Sequence, residues 1–140
     1  MKFVYTSSLA VSFRIGHETI DADETMPYPE ERYITNGYMA TKIEAEKMVI
    51  DANDNERHDR GLKTVAVRPC HIFGAGCDCF YLKDVPVYFA KAKDRAVTSA
   101  CNVENCAFLH LIAGARLSPG PKQVRPCIHW TLLLPVQLAC

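Results

Sequence analysis

A chain of 140 residues is long enough for one domain with a buried core, and its 49% apolar and 23% charged content is that of a folded globular protein. Sixteen basic and sixteen acidic side chains cancel to a formal charge of zero, which argues against an electrostatic footprint for nucleic acid. The seven cysteines are irregularly spaced and form no paired C-x-x-C knuckles. No structural zinc site is expected, and reduced cysteines acting as small apolar side chains fit an intracellular protein.

The opening "MKFVYTSSLAVSF" is interrupted by Thr6, Ser7 and Ser8, so it reads as a short buried strand over Phe3–Tyr5 rather than as a signal peptide. Residues 14–37 are loop-like, with Gly16, Pro27, Pro29 and Gly37 among many charges. From Tyr38 to about Asn53 the pattern becomes helical. Ala45, Met48, Val49 and Ala52 recur at i, i+3, i+4 and i+7 and are expected to form the apolar face, held by packing rather than by salt bridges. A polar linker ends at Gly61, and β-branched Thr64–Val67 then predict a second strand that Pro69 stops, with Gly74 and Gly76 in the loop beyond.

Strand, helix, strand in that order is a βαβ unit, which favours parallel pairing. "VPVYFAKAKDR" reads as the start of another helix, and "VENCAFLHLIAGARL" as a further one ending near Pro119, with His110 an ordinary helix-face histidine. From Gly120 onward no pattern assigns an element. No apolar run approaches the roughly 20 residues that span a bilayer, and "WTLLLPVQLAC" is both short and broken by Pro135.

Chemistry first shows in "NGYMATKIEAEKMVIDAND". Tyr38 and Lys42 stand at i and i+4, so the ammonium can approach the phenol on one helical face. A free tyrosine titrates near ~10, and a neighbouring positive charge lowers that value, which suits the phenol to exchange a proton with a substrate hydroxyl or carbonyl. A serine at the adjacent strand end can hold the same substrate oxygen. Ser8 is at such an end, with Ser7 its close competitor.

The ordered set "FVYTSS", "DETMPYPE", "YMATKIEAEKMVIDAN", "LKTVAVRPCHIFGAG" and "VENCAFLHLIAGARLSPG" resembles the extended short-chain dehydrogenases, and within them the 3β-hydroxysteroid dehydrogenase family. The resemblance implies an α/β fold: the C-terminal part of a Rossmann-like doubly wound parallel sheet, lacking the first βαβ nucleotide-binding half. It implies a catalytic part over residues 1–93, a remnant of the substrate region over 94–120 and an unassigned tail over 121–140. Tyr38 matches the catalytic acid/base and Lys42 the residue that binds the nicotinamide ribose. Ser8 matches the residue that orients the reacting oxygen. Pro69 lies where the loop meets the nicotinamide, and Thr6 and Ser7 join the cofactor-binding positions. The implied reaction is oxidation of a 3β-hydroxysterol or steroid to its ketone with NAD or NADP. The implied setting is cytoplasmic or peripheral to the endoplasmic reticulum membrane, and the implied assembly a homodimer.

The chain departs from that pattern in places. No Gly-rich G-x-x-G-x-x-G turn occurs in it, so the adenosine half of a dinucleotide finds no fingerprint here. A truncated product is therefore expected, inactive alone. His71 stands where the family usually carries glycine and reads as a drifted loop residue. Two alternatives to the sterol reading stay open. One is a non-catalytic remnant; the other is a relative acting on another substrate, such as a sugar-nucleotide epimerase or a dihydroflavonol-type reductase.

Overall fold

The computed structural model describes residues 1–14, 17, 23–53, 61–76, 98–117, 127–129 and 132–134, the last two segments and 98–99 by backbone alone. Strand β1 (Lys2–Thr6) leads through a 3₁₀ turn (Leu9–Ser12) to a second such turn (Glu31–Tyr33) and helix α1 (Gly37–Asp51). Strands β2 (Lys63–Arg68), β3 (His71–Phe73) and β4 (Thr98–Asn102) follow, then helix α2 (Val103–Arg116) and the short strands β5 (Cys127–His129) and β6 (Leu132–Leu134). The predicted helix in "VPVYFAKAKDR" lies outside the described residues.

β1, β2 and β5 form one sheet in that order, all parallel, with Phe3 opposite Thr64 and Thr6 opposite Val67. β2 is buried along its whole length, as a central parallel strand covered on both faces must be. Its alternating side chains show which helix lies on which face. Val65 and Val67 meet Leu109, Ala113 and Leu117 of α2, with Val4 of β1 packed alongside. Arg68, one residue on and so on the opposite face, reaches Glu46 of α1. Helices on the two faces of a parallel sheet make this a partial Rossmann-like arrangement.

A second sheet pairs β3 with β4 in parallel and β4 with β6 antiparallel. β3 falls where the sequence predicts loop, and β4 to β6 fall where it predicts no element. Three-residue strands such as β3, β5 and β6 carry too few side chains for a period to be legible, and the five residues of β4, TSACN, show no apolar alternation. Gly74, just past β3, has φ of +134°, and a Cβ there would stand 2.8 Å from Cγ1 of Val103. The position therefore needs glycine twice over, for its backbone angle and for the close approach of α2.

Each long helix has a defined start. The Asn36 side chain accepts from the Met39 N–H at 2.9 Å, and the Asn102 side chain accepts from the Glu104 N–H at 2.8 Å. At the other end of α2, the Lys2 ammonium donates to the carbonyls of Gly114 and Ala115 at 3.0 and 3.4 Å, satisfying groups that lack helical partners.

The buried stripe of α1 differs from the expected one. Met39, Ile43 and Glu46 are buried, whereas Met48 is 71% exposed and Ala52 is exposed. The expectation that packing alone holds this helix also fails. Its one fully buried charge is paired across the fold to Arg68, 22 residues away, a partner that local periodicity does not reveal. The exposed Glu44–Lys47 pair at 3.1 Å contributes little by comparison.

Candidate active site

The site lies at the C-terminal end of β1, where α1 and α2 converge. The Asn36 cap begins α1 one turn before Lys42, which leaves Tyr38 on the first turn with 56% of its surface exposed. Lys42 turns its ammonium inward to the strand end. Its Nζ donates to the Thr6 carbonyl at 2.9 Å and stands 6.0 Å from the Tyr38 ring centre and 5.2 Å from that of Tyr5. The charge sits between two aromatic faces at the outer limit of cation–π range. The structure thus brings Tyr38, Lys42 and Thr6 together.

Ser8 follows two residues beyond Thr6, and its Oγ accepts from the Ala10 N–H at 3.2 Å, capping the 3₁₀ turn. Ser7 faces the other way. It is 3% exposed, and its hydroxyl lacks a hydrogen bond of ordinary geometry among the described residues, yet it stands near enough to Glu46 to favour the charged carboxylate. Pro69 is buried, and its carbonyl accepts from the Leu9 N–H at 2.9 Å, which ties the loop after β2 to the serine turn.

Beneath this surface is a buried ionic cluster. Arg68 donates through Nε to both Glu46 oxygens at 3.0 and 3.2 Å and through Nη2 to Oε1 at 2.6 Å. The Tyr28 hydroxyl donates to the same Oε1 at 2.9 Å, and its ring lies 5.5 Å from the guanidinium carbon. Burial alone would raise the Glu46 pKa. The hydrogen bonds and charge of Arg68, with Ser7 and Tyr28, outweigh it and hold the carboxyl below its ordinary value. The cluster fixes α1 against β2, and with it the register of Tyr38 and Lys42 against the end of β1.

Beside Pro69 lies a packed cluster of cysteine side chains. Cys70, Cys101 and Cys106 are buried together with Leu9 and Ile72 packed on them. Burial pushes the Cys101 and Cys106 thiols up, and they remain protonated. His71 opens β3 as an exposed residue opposite Ala100. Among the described residues no helix is long and apolar enough to cross a membrane.

The sequence does not single out Tyr5, Tyr28 or Glu46 and reads His110 as an ordinary helix-face histidine, although all four stand at or under this site. The His110 ring donates from Nδ1 to the Cys106 carbonyl at 2.7 Å, and its Nε2 lies 2.8 Å from Thr6 Oγ1. A long-range hydrogen bond between two unrelated motifs leaves no local signature.

Comparison with known proteins gives a family to this geometry. The 3-beta hydroxysteroid dehydrogenase/isomerase family matches residues 1–127. The decarboxylating sterol-4-alpha-carboxylate 3-dehydrogenase of Candida albicans is 51% identical over 73 residues, 52% of this chain and 19% of that protein. The 3beta-hydroxysteroid-dehydrogenase/decarboxylase isoform 1 of Arabidopsis thaliana is 41% identical over 125 residues, 85% of this chain and 27% of the relative. A 2-alkyl-3-oxoalkanoate reductase of Stenotrophomonas maltophilia is 35% identical over 130 residues, 85% of this chain and 36% of the relative. The chain therefore spans between 19% and 36% of the length of these relatives. With nine-tenths of its residues inside that match, this chain belongs to the 3-beta hydroxysteroid dehydrogenase/isomerase family.

Proposed function

We propose that this chain carries the proton-transfer site of a sterol 3-dehydrogenase, which oxidises a 3β-hydroxyl to a ketone. The observation that carries this reading is the exposed Tyr38 phenol beside the Lys42 ammonium, itself anchored on the Thr6 carbonyl at 2.9 Å. The names of the fungal and plant relatives support a sterol substrate with a carboxylate beside the reacting carbon.

In this reading Tyr38 accepts the proton of the substrate hydroxyl at its phenolic oxygen, and the Lys42 charge stabilises the phenolate. Ser8 gives up its contact with Ala10 and donates to the substrate oxygen, holding it in line with Tyr38. A bound nicotinamide dinucleotide, NAD or NADP, supplies the acceptor for the hydride that leaves the carbinol carbon. Lys42 spends one of its three N–H donors on Thr6, and the other two are suited to ribose hydroxyls. Tyr38 and the backbone around Pro69 complete the nicotinamide end. The adenosine and pyrophosphate end has no Gly-rich turn in this sequence, and this chain holds no residues assigned to it. Where the substrate bears a 4-carboxylate, the new ketone makes it a β-keto acid, which loses carbon dioxide.

The test is turnover of a 4-carboxy-3β-hydroxysterol with NAD, followed by the absorbance of the reduced nicotinamide. Tyr38→Phe is expected to lower kcat by at least ~10²-fold, the worth of a positioned acid/base. Turnover unchanged by that substitution removes Tyr38 from the mechanism. The relative named as a 2-alkyl-3-oxoalkanoate reductase favours a second reading, in which the same trio serves a non-sterol substrate, and a panel of hydroxy and keto substrates separates the two. A third reading, a chain that binds no dinucleotide, is excluded by micromolar binding in a calorimetric titration with NAD.

A further inference from the structure

Thr6 is held twice. Along β1, Val4 packs with the α2 cluster, so Thr6, two residues on, faces α2 as well, while Tyr5 faces α1 and lies against Lys42. The Ser7 N–H donates to the Val67 carbonyl at 2.8 Å, so the polar groups of Ser7 point to β2 and those of Thr6 point to the opposite edge. On that edge β1 has no strand neighbour among the described residues, and the Thr6 carbonyl is taken by the Lys42 ammonium at 2.9 Å. The Thr6–Ser7 peptide plane is thus held on its β2 edge by the Ser7 N–H, and its carbonyl is presented to the open edge, where no strand of the described residues adds a second hold.

The second hold comes from the Thr6 side chain. The Cys106 carbonyl, 2.7 Å from His110 Nδ1, can only accept, which assigns the proton of that contact to Nδ1; in this tautomer Nε2 is an acceptor. The Thr6 hydroxyl therefore donates to Nε2 at 2.8 Å. The helical carbonyl of Cys106 fixes the ring, the ring fixes the Thr6 side chain, and the Thr6 carbonyl holds Lys42.

We propose that His110 is a positioning residue that sets the Lys42 ammonium beside Tyr38 by clamping the end of β1 through Thr6. It touches neither substrate nor cofactor. The catalytic consequence rests on the reading of Tyr38 and Lys42 given above; the clamp itself does not.

The clamp is tested by trace acetylation of the purified chain with acetic anhydride, with the Lys42 to Lys47 labelling ratio read by peptide mapping. Lys47 is on the same helix, its ammonium exposed on Glu44, and reports any general loosening of α1. Lys42 is expected to label slowly in the native chain. His110→Phe keeps a ring without an acceptor, and Thr6→Val keeps the shape without the hydroxyl. Both are expected to raise the ratio about fivefold, the change that follows the loss of one neutral hydrogen bond. His110→Gln and Thr6→Ser restore an acceptor or a donor and are expected to return the ratio to within about twofold of the native one. A merely structural role would move Lys47 equally and would not be rescued by the conservative variants.

A ratio unmoved by both His110→Phe and Thr6→Val, in chains with native circular dichroism, overturns the proposal. Should His110→Phe fail to fold, Thr6→Val at its exposed position decides alone. Labelling needs no turnover and bears on the clamp alone, whereas turnover unchanged by Tyr38→Phe refutes the catalytic reading and leaves the clamp standing.

Discussion

Replacing Arg68 with methionine removes one half of a pair that has almost no contact with water. Glu46 is 0% exposed and Arg68 3%, and three N–O contacts between 2.6 and 3.2 Å join them. In Arg68→Met the carboxylate loses its guanidinium partner and keeps the Tyr28 hydroxyl at 2.9 Å and the nearby Ser7. Breaking a buried pair on one side costs about 3–5 kcal/mol, against a total stability of about 5–15 kcal/mol for a small domain. With a urea slope of about 2 kcal/mol/M, the midpoint followed by far-ultraviolet circular dichroism should fall by about 1.5–2.5 M. Glu46→Leu combined with Arg68→Met removes both charges and should recover most of that loss, so the cycle reports a large coupling. A shift below about 0.5 M would mean that the pair behaves like an exposed one and would refute the reasoning.

The same pair has a pH signature. The folded protein holds the Glu46 carboxyl below its ordinary 4.5, so the unfolded chain binds the proton more readily. The stabilisation is complete above that ordinary value and is lost as pH falls through the lower folded-state value. The gap between native and Arg68→Met midpoints should therefore narrow as pH drops below about 4.5, and above it should keep widening until the Glu46 carboxyl of the variant, pushed up by burial without Arg68, has ionised.

Three further outcomes are expected. Asn36→Ala removes the cap on the Met39 N–H and should cost about 1 kcal/mol, read as a lower urea midpoint, with faster amide exchange confined to the first turn of α1 around Tyr38. Gly74→Ala must force a Cβ to within 2.8 Å of Val103 at a φ of +134°, and a loss of about 1–3 kcal/mol in the same unfolding assay is expected. Cys70, Cys101 and Cys106 should resist iodoacetamide at pH 8 until urea exposes them, because burial keeps the Cys101 and Cys106 thiols protonated; fast native labelling at these positions contradicts that.

How much of this was legible in the sequence depended on the range of the interaction. The β1 and β2 strands were readable from Phe3–Tyr5 and Thr64–Val67, and their parallel pairing followed from the helix between them. Helix α1 was placed to within a few residues because helical recurrence and residues of high helix propensity mark the stretch from Tyr38 locally, while the Asn36 cap emerges from the structure. Its buried face was misread. Apolar periodicity favoured Ala45, Met48 and Val49, while the structure buries Glu46, whose partner comes from another strand. Tyr38 and Lys42 were legible as a pair because their four-residue spacing is a property of one helix. The link from His110 to Thr6 spans 104 residues and depends on how α2 lies across the sheet, which no window of sequence contains.

The polarity of α2 has one more consequence. Lys2, on the first residue of β1, closes the carbonyls of Gly114 and Ala115 at one end of the helix, and Asn102 closes the other. A modification that neutralises that lysine would strip α2 of its cationic counterweight from the far end of the same strand that carries Thr6. Acylation of that one amine would then disturb the strand at its origin while the reacting residues, at its terminus, stay chemically untouched.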